Sequence, residues 1–254
     1  MISPLAFVDP AAKIGKNVTI QPFAYIESDV EIGDDCIIMS HASVLNGTRM
    51  GSGNEVHQNA ILGAEPQDFH YTREKSRLII GNNNHIRENV VISRATKEEN
   101  STVIGNENFL MDGVHVCHDV TIKDHCVLGI KSTLAGGCTM DEFSILSSNV
   151  LLQQNCRIGT WTLIQGGCRI SKDVPPYIIV SGNPPTYHGI NAVVLSHHNF
   201  QERILRHIAN AYRLIFQGNF SVQDAIQQIK EQVPMSDEIK NILDFVYQSK
   251  GIIK

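Results

Sequence analysis

The segment His115-Val116-Cys117-His118-Asp119 sets two imidazoles and a carboxylate within five residues. A histidine followed by an aspartate suits general-base chemistry, because the carboxylate can hold one ring nitrogen while the other takes a proton near neutral pH. Eighteen residues beyond His118 stands Gly136, and eighteen further stands Gln154. A base, a backbone N–H for an oxyanion and a polar amide are the parts of an acyl-transfer site, if a period of eighteen brings them together. The plain alternative is that His118 is an ordinary exposed histidine, one of eleven in the chain.

The sequence carries that period. An apolar, mostly aliphatic residue recurs every sixth position from Val8 to Leu62, returns at Ile80, Ile86 and Ile92, and runs on from Ile104 to Ile170. A period of six matches neither a helix nor a simple alternating strand. Four residues after the aliphatic one comes a slim residue, as at Val18, Ala24, Cys36, Ala42, Ser132 and Ser144. Two inward positions per hexad suit a flat face followed by a sharp corner, and three faces close a coil of about eighteen residues. Stacked coils bury one aliphatic core that no single repeat could bury alone.

This register points Val116 inward and His118 outward, and it lines up His118, Gly136 and Gln154 on neighbouring coils. It also puts Cys36, Cys126, Cys138, Cys156 and Cys168 in the slim inward slot. They read as core residues rather than as disulfides or metal ligands.

The coil spans residues 1–176, with loop insertions near 64–78 and 95–102. The first insertion mixes charges with Phe69 and Tyr71, and an excursion from a rigid scaffold commonly carries function; a solvated excursion is the plain alternative. The second, ATKEENST, reads as a polar surface loop. Residues 177–190, with Gly182-Asn183-Pro184-Pro185, read as an extended linker. Residues 191–254 read as a helical domain: Ile204, Leu205, Ile208, Tyr212 and Ile215 form one apolar stripe, and Ser221 and Ser236 are N-cap candidates. Such helices would cover the open end of the solenoid.

Composition narrows the partners. Net charge is −5 with no Lys/Arg cluster, which argues against nucleic acid. No apolar run reaches membrane-spanning length and the N-terminus lacks a signal-peptide pattern, so a cytoplasmic protein with no stable membrane insertion is expected.

The hexads resemble those of the hexapeptide-repeat acyltransferases, whose left-handed parallel β-helix sets the expected hand; general crossover rules favour the opposite one. The fold class is therefore mainly β, a left-handed parallel β-helix with a C-terminal α-helical domain. The segments His115-Val-Cys-His118-Asp119, Thr133-Leu-Ala-Gly136, Asp173-Val-Pro-Pro-Tyr177 and Gly182-Asn183, with Gln67-Asp68 and Arg87-Glu88, resemble the acyl-ACP:UDP-N-acetylglucosamine O-acyltransferase family over essentially the whole chain.

That resemblance implies a bacterial cytoplasmic homotrimer beginning lipid A biosynthesis. It would move an R-3-hydroxyacyl chain from acyl carrier protein to the 3-hydroxyl of the UDP-sugar UDP-N-acetylglucosamine. No metal is implied, and no cofactor beyond the carrier's phosphopantetheine. His118 would be the base, supported by Asp119, and the Gly136 N–H the oxyanion donor. Asp68 and His115 would contact the sugar, Gln154 the nucleotide phosphate and Asn191 the nucleotide side, while Gly166 stands at the position that sets acyl depth, glycine there implying room for a longer chain.

Departures fall among the substrate contacts. His70 stands where the family carries a lysine, Gly137 and Gln153 replace histidines, Val193 replaces an acidic residue, and His197-His198 replaces an arginine pair. Arginine holds a phosphate through a permanently charged fork, and neutral histidine does not. A different acceptor, such as a 3-amino sugar nucleotide, is the alternative these changes raise. More remote readings are a metal enzyme of carbonic anhydrase type using His115, His118 and His125, and a purely structural solenoid.

Overall fold

Two inward positions per hexad produce very short strands. Thr19–Ile20, Glu31–Ile32 and Ile37–Ile38 are two residues each, because the next residue must already turn. Corners take left-handed backbone at residues such as Asn17 and Asp35, both at φ +57°, which asparagine and aspartate tolerate best among non-glycine residues. The computed structural model describes residues 1–218 and 221–253; positions 219, 220 and 254 of the expected helical region lie outside it.

Strands pair in parallel with the strand one coil away, as Tyr25↔Ser43 and Ile26↔Val44, then His115↔Thr133 and Val116↔Leu134. Among the described residues three sheets of nine, eight and ten strands result, and the last includes one antiparallel strand. They form the three faces of a left-handed parallel β-helix. We number the faces by their opening strands, Phe7–Val8, Lys13–Ile14 and Thr19–Ile20. Inside, Ile26, Ile38, Val44, Leu62, Ile86, Val116 and Leu134 are fully buried. The five slim-slot cysteines are buried too, and all are free thiols.

The stretch 177–190 departs from the extended linker expected. Ile178–Ser181 adds to the third face beside Leu163–Ile164, and Thr186–Ile190 folds back on it antiparallel. Ile178 and Val180 are fully buried, so the inward alternation simply continues; the glycine and prolines mark the hairpin turn, not a free connection.

Among the described residues four helices follow: α1 (Ala192–His197), α2 (Glu202–Phe216), α3 (Val222–Gln232) and α4 (Asp237–Gln248). Ser221 caps α3 by accepting the Asp224 N–H, and Ser236 caps α4 by accepting that of Ile239. Fully buried Tyr212 donates its hydroxyl to the Pro176 carbonyl. Ile208, Ile229 and Ile242 share one apolar cluster with Ile158 and Ile164 of the last coils. The helices thus continue the solenoid core. Among the described residues no helix is long and apolar enough to cross a membrane.

Candidate active site

His118 lies on the corner between the first and second faces. Val116 is buried, and the chain turns through Cys117 and His118 to Asp119, whose φ is +59°. That turn brings Asp119 Oδ2 within 2.8 Å of His118 Nδ1. An ionised carboxylate can only accept, so Nδ1 carries a proton, and the neutral ring then keeps its lone pair on Nε2.

The expected column is formed. Gly137 N–H donates to the His118 carbonyl, and Asn155 N–H to that of Gly136, which stacks the corners of 118, 136 and 154. A Cβ at Gly136 would fall 2.4 Å from His118 Cε1 and 2.7 Å from Nε2, so only glycine lets the imidazole lie here. None of the described residues accepts the Gly136 N–H, which leaves it available as an oxyanion donor. Gln154 is exposed one coil further on.

The first insertion is an arm folded back on this corner. Asp68 Oδ2 lies 3.4 Å from His118 Nε2, on the side opposite Asp119. Its Oδ1 accepts the His70 backbone N–H at 2.7 Å and meets His70 Nδ1 at 3.0 Å. These hydrogen bonds, the backbone one first, hold the Asp68 carboxyl below the usual carboxylate range. Arg94 fastens the arm through Tyr71 Oη at 2.7 Å and Glu65 at 3.2 Å, and Lys97 through Glu74 at 2.7 Å. The arm is docked rather than a solvated excursion, and His118 is therefore only 12% exposed. Register turns His118 outward, as expected, but the arm covers it.

The second insertion was expected to be a plain surface loop, and it is not. Thr96 Oγ1 donates to Asp119 Oδ2 at 2.8 Å, Asn100 Nδ2 reaches Oδ1 at 3.3 Å, and buried Thr102 accepts the Asp119 N–H at 2.9 Å. Sequence reasoning missed all three residues. Thr96 precedes Asp119 by 23 positions, outside the count of eighteen, because the insertion lengthens its coil.

The remaining candidates divide by corner. His70, Gly137 and Gln153 share the His118 corner; Gly137, at φ +71°, also serves its turn. His115 stands on the first face, where partial burial favours its neutral form. Gly166 is exposed on the corner between the third and first faces. Asn191 is buried near the top of the second–third corner and donates its side-chain N–H to the Trp161 carbonyl at 2.9 Å. His197 and His198 are exposed on and just after α1, with the His198 ring 4.5 Å from that of Trp161. One chain thus joins Asp68, His70, His118, Asp119, Gly136, Gly137, Gln153 and Gln154, but not Gly166, Asn191, His197 or His198. Within one chain, as the register implies, the three histidines stand apart: His125 stacks on Phe143 at 4.6 Å, on another corner.

Known proteins share this architecture. Residues 173–253 match the family described as UDP N-acetylglucosamine O-acyltransferase, domain 2, and residues 11–46 and 101–136 match the bacterial transferase hexapeptide repeat. The UDP-N-acetylglucosamine acyltransferase LpxA from Bacteroides fragilis is 47% identical, with 100% of each chain covered and a TM-score of 0.98. LpxA from Acinetobacter baumannii is 35% identical, covering 100% of this chain and 99% of that one at a TM-score of 0.97. The UDP-N-acetylglucosamine acyltransferase of Francisella novicida is 33% identical, covering 100% and 94% at 0.96.

Proposed function

The chain belongs to the UDP-N-acetylglucosamine O-acyltransferase family, and we propose that the His118–Asp119 pair is the general base of its acyl transfer. The enzyme moves an R-3-hydroxyacyl chain from acyl carrier protein to the 3-hydroxyl of UDP-N-acetylglucosamine, the first step of lipid A biosynthesis. One observation carries the assignment of roles: His118 Nδ1 is 2.8 Å from Asp119 while the same ring lies against Gly136.

His118 Nε2 takes the proton of the acceptor hydroxyl as its oxygen attacks the thioester carbonyl carbon. The carbonyl electron pair moves onto oxygen, where the Gly136 N–H stabilises it. The adduct collapses, the C–S bond breaks, and the imidazolium returns its proton to the departing thiolate. An ester and a free carrier thiol result. The thioester arrives activated on the carrier's phosphopantetheine, so the chemistry calls for no resident metal or further cofactor. Asp68, beside Nε2, suits a contact to the incoming sugar.

The working unit in this proposal is a homotrimer in the cytoplasm. Gly166 and the Asn191, His197 and His198 group sit on corners other than that of His118, so a shared site needs a corner from a neighbouring copy. That division supports the oligomer and the roles of those four residues.

Product analysis tests the reaction. Given hydroxyacyl carrier protein and equal UDP-N-acetylglucosamine and its 3-amino analogue, the protein should make the alkali-labile ester. A clear preference for the amide product would overturn the hydroxyl acceptor.

A further inference from the structure

Asp119 needs donors besides His118. A carboxylate that must accept a proton-bearing imidazole in one orientation is free to rotate unless its other lone pairs are occupied, and a rotated carboxylate releases the ring. The second insertion supplies those donors. Thr96 Oγ1 lies 2.8 Å from Oδ2, the oxygen that also takes His118 Nδ1 at 2.8 Å. Asn100 reaches the other oxygen at 3.3 Å, and the Thr96 backbone N–H lies 3.3 Å from Oδ2. Thr102 fixes the backbone of the same residue from the coil below.

The loop is itself held. Lys97, next to Thr96, reaches across to Glu74 of the arm at 2.7 Å, and the arm carries Asp68 to the far side of the imidazole. The two insertions are therefore tied by this ion pair as well as by the Ala95 N–H donating to the Arg77 carbonyl, one presenting a carboxylate to Nε2 and the other gripping the carboxylate on Nδ1.

We propose that Thr96 is a positioning residue for acyl transfer: its hydroxyl locks the Asp119 carboxylate, and through it the tautomer and plane of His118. This rests on His118 and Asp119 being the base pair proposed above. Thr96 reaches His118 only through Asp119, so its removal should lower kcat and leave KM for either substrate little changed.

The experiment compares Thr96→Val, which keeps the shape and loses the donor, with Thr96→Ser, which keeps the donor. Steady-state kinetics with hydroxyacyl carrier protein and UDP-N-acetylglucosamine would be run on both, and again with each change in an Asp119→Asn background. Hydrogen bonds that hold a catalytic carboxylate in place carry about 10–100-fold in activity, by analogy with those that orient metal ligands. Thr96→Val should lose kcat within that range, Thr96→Ser should recover most of it, and neither should matter once Asp119 is Asn. Full kcat in Thr96→Val, or an equal loss in the Asp119→Asn background, overturns the positioning role. An unimpaired Asp119→Asn single variant marks the other failure, that of the base-pair reading itself. Unchanged circular dichroism and melting temperature in Thr96→Val exclude misfolding as the cause of a loss.

Discussion

Asp68 and Asp119 bracket one imidazole: Oδ2 of Asp68 lies 3.4 Å from His118 Nε2, and Oδ2 of Asp119 lies 2.8 Å from Nδ1. The two carboxylates arrive from different places in the chain. Asp119 comes from the corner itself and Asp68 from an arm inserted between coils. Only the first is tied covalently to the ring it serves, so the second depends on how the arm is fastened.

Gly136→Ala should disable the enzyme without unfolding it. The added methyl would fall 2.4 Å from His118 Cε1, and Gly136 is not in the left-handed backbone region, so the conflict is with the ring alone. The ring must swing off Asp119. A misplacement of that order costs about 10²-fold in rate, which kcat measurements alongside a thermal melt would read.

Lys97→Met should loosen the arm around Glu74, with Arg94 still holding Tyr71 and Glu65. Glu74 is held at about 2, chiefly by the Lys97 hydrogen bond, against an ordinary value of 4.5. A depressed carboxyl contributes stability that is complete above its unfolded value and drains away as pH falls from about 4.5 through about 2. Hydrogen exchange in residues 65–76, corrected for intrinsic rates, should rise across that window in the parent. In Lys97→Met it should already be high at neutral pH. Equal protection in both proteins at pH 7 would show that the arm is held some other way.

The solenoid was legible because its signal is periodic. Val116, Leu134 and Leu152 are inward by count alone, and the structure stacks them as counted. The same count brought Gly136 to His118. What it could not reach were Thr96, Asn100 and Asp68's docking, since inserted residues have no register and their positions are set by Arg94 with Tyr71 and Lys97 with Glu74. The hairpin at 178–190 failed for a related reason: glycine and prolines hid two strands, the first of which kept the alternation with Ile178 and Val180 inward.

The core cysteines should be silent to alkylation. Burial pushes the Cys126 and Cys138 thiols up to about 12, so neither forms the reactive thiolate at working pH. Mass spectrometry after iodoacetamide at pH 8 should find the five slim-slot cysteines unmodified in the native protein and modified in urea. Half-buried Cys117 alone should label slowly.

Tyr212→Phe should weaken the attachment of the helices to the coil. The phenol is fully buried and donates to the Pro176 carbonyl, which the change leaves unpaired. A lost buried partner costs about 1–3 kcal/mol, visible as a lower urea midpoint with unchanged slope. Turnover at 25 °C should change little, because Tyr212 is fully buried and touches none of the residues placed in the site.

His118→Ala bears most directly on the central claim. With hydroxyacyl carrier protein and UDP-N-acetylglucosamine at saturation, loss of a general base should lower kcat by roughly 10²–10⁴-fold while the protein stays folded. A His118→Ala enzyme that turns over at the parent rate would contradict the assignment of His118 as the base.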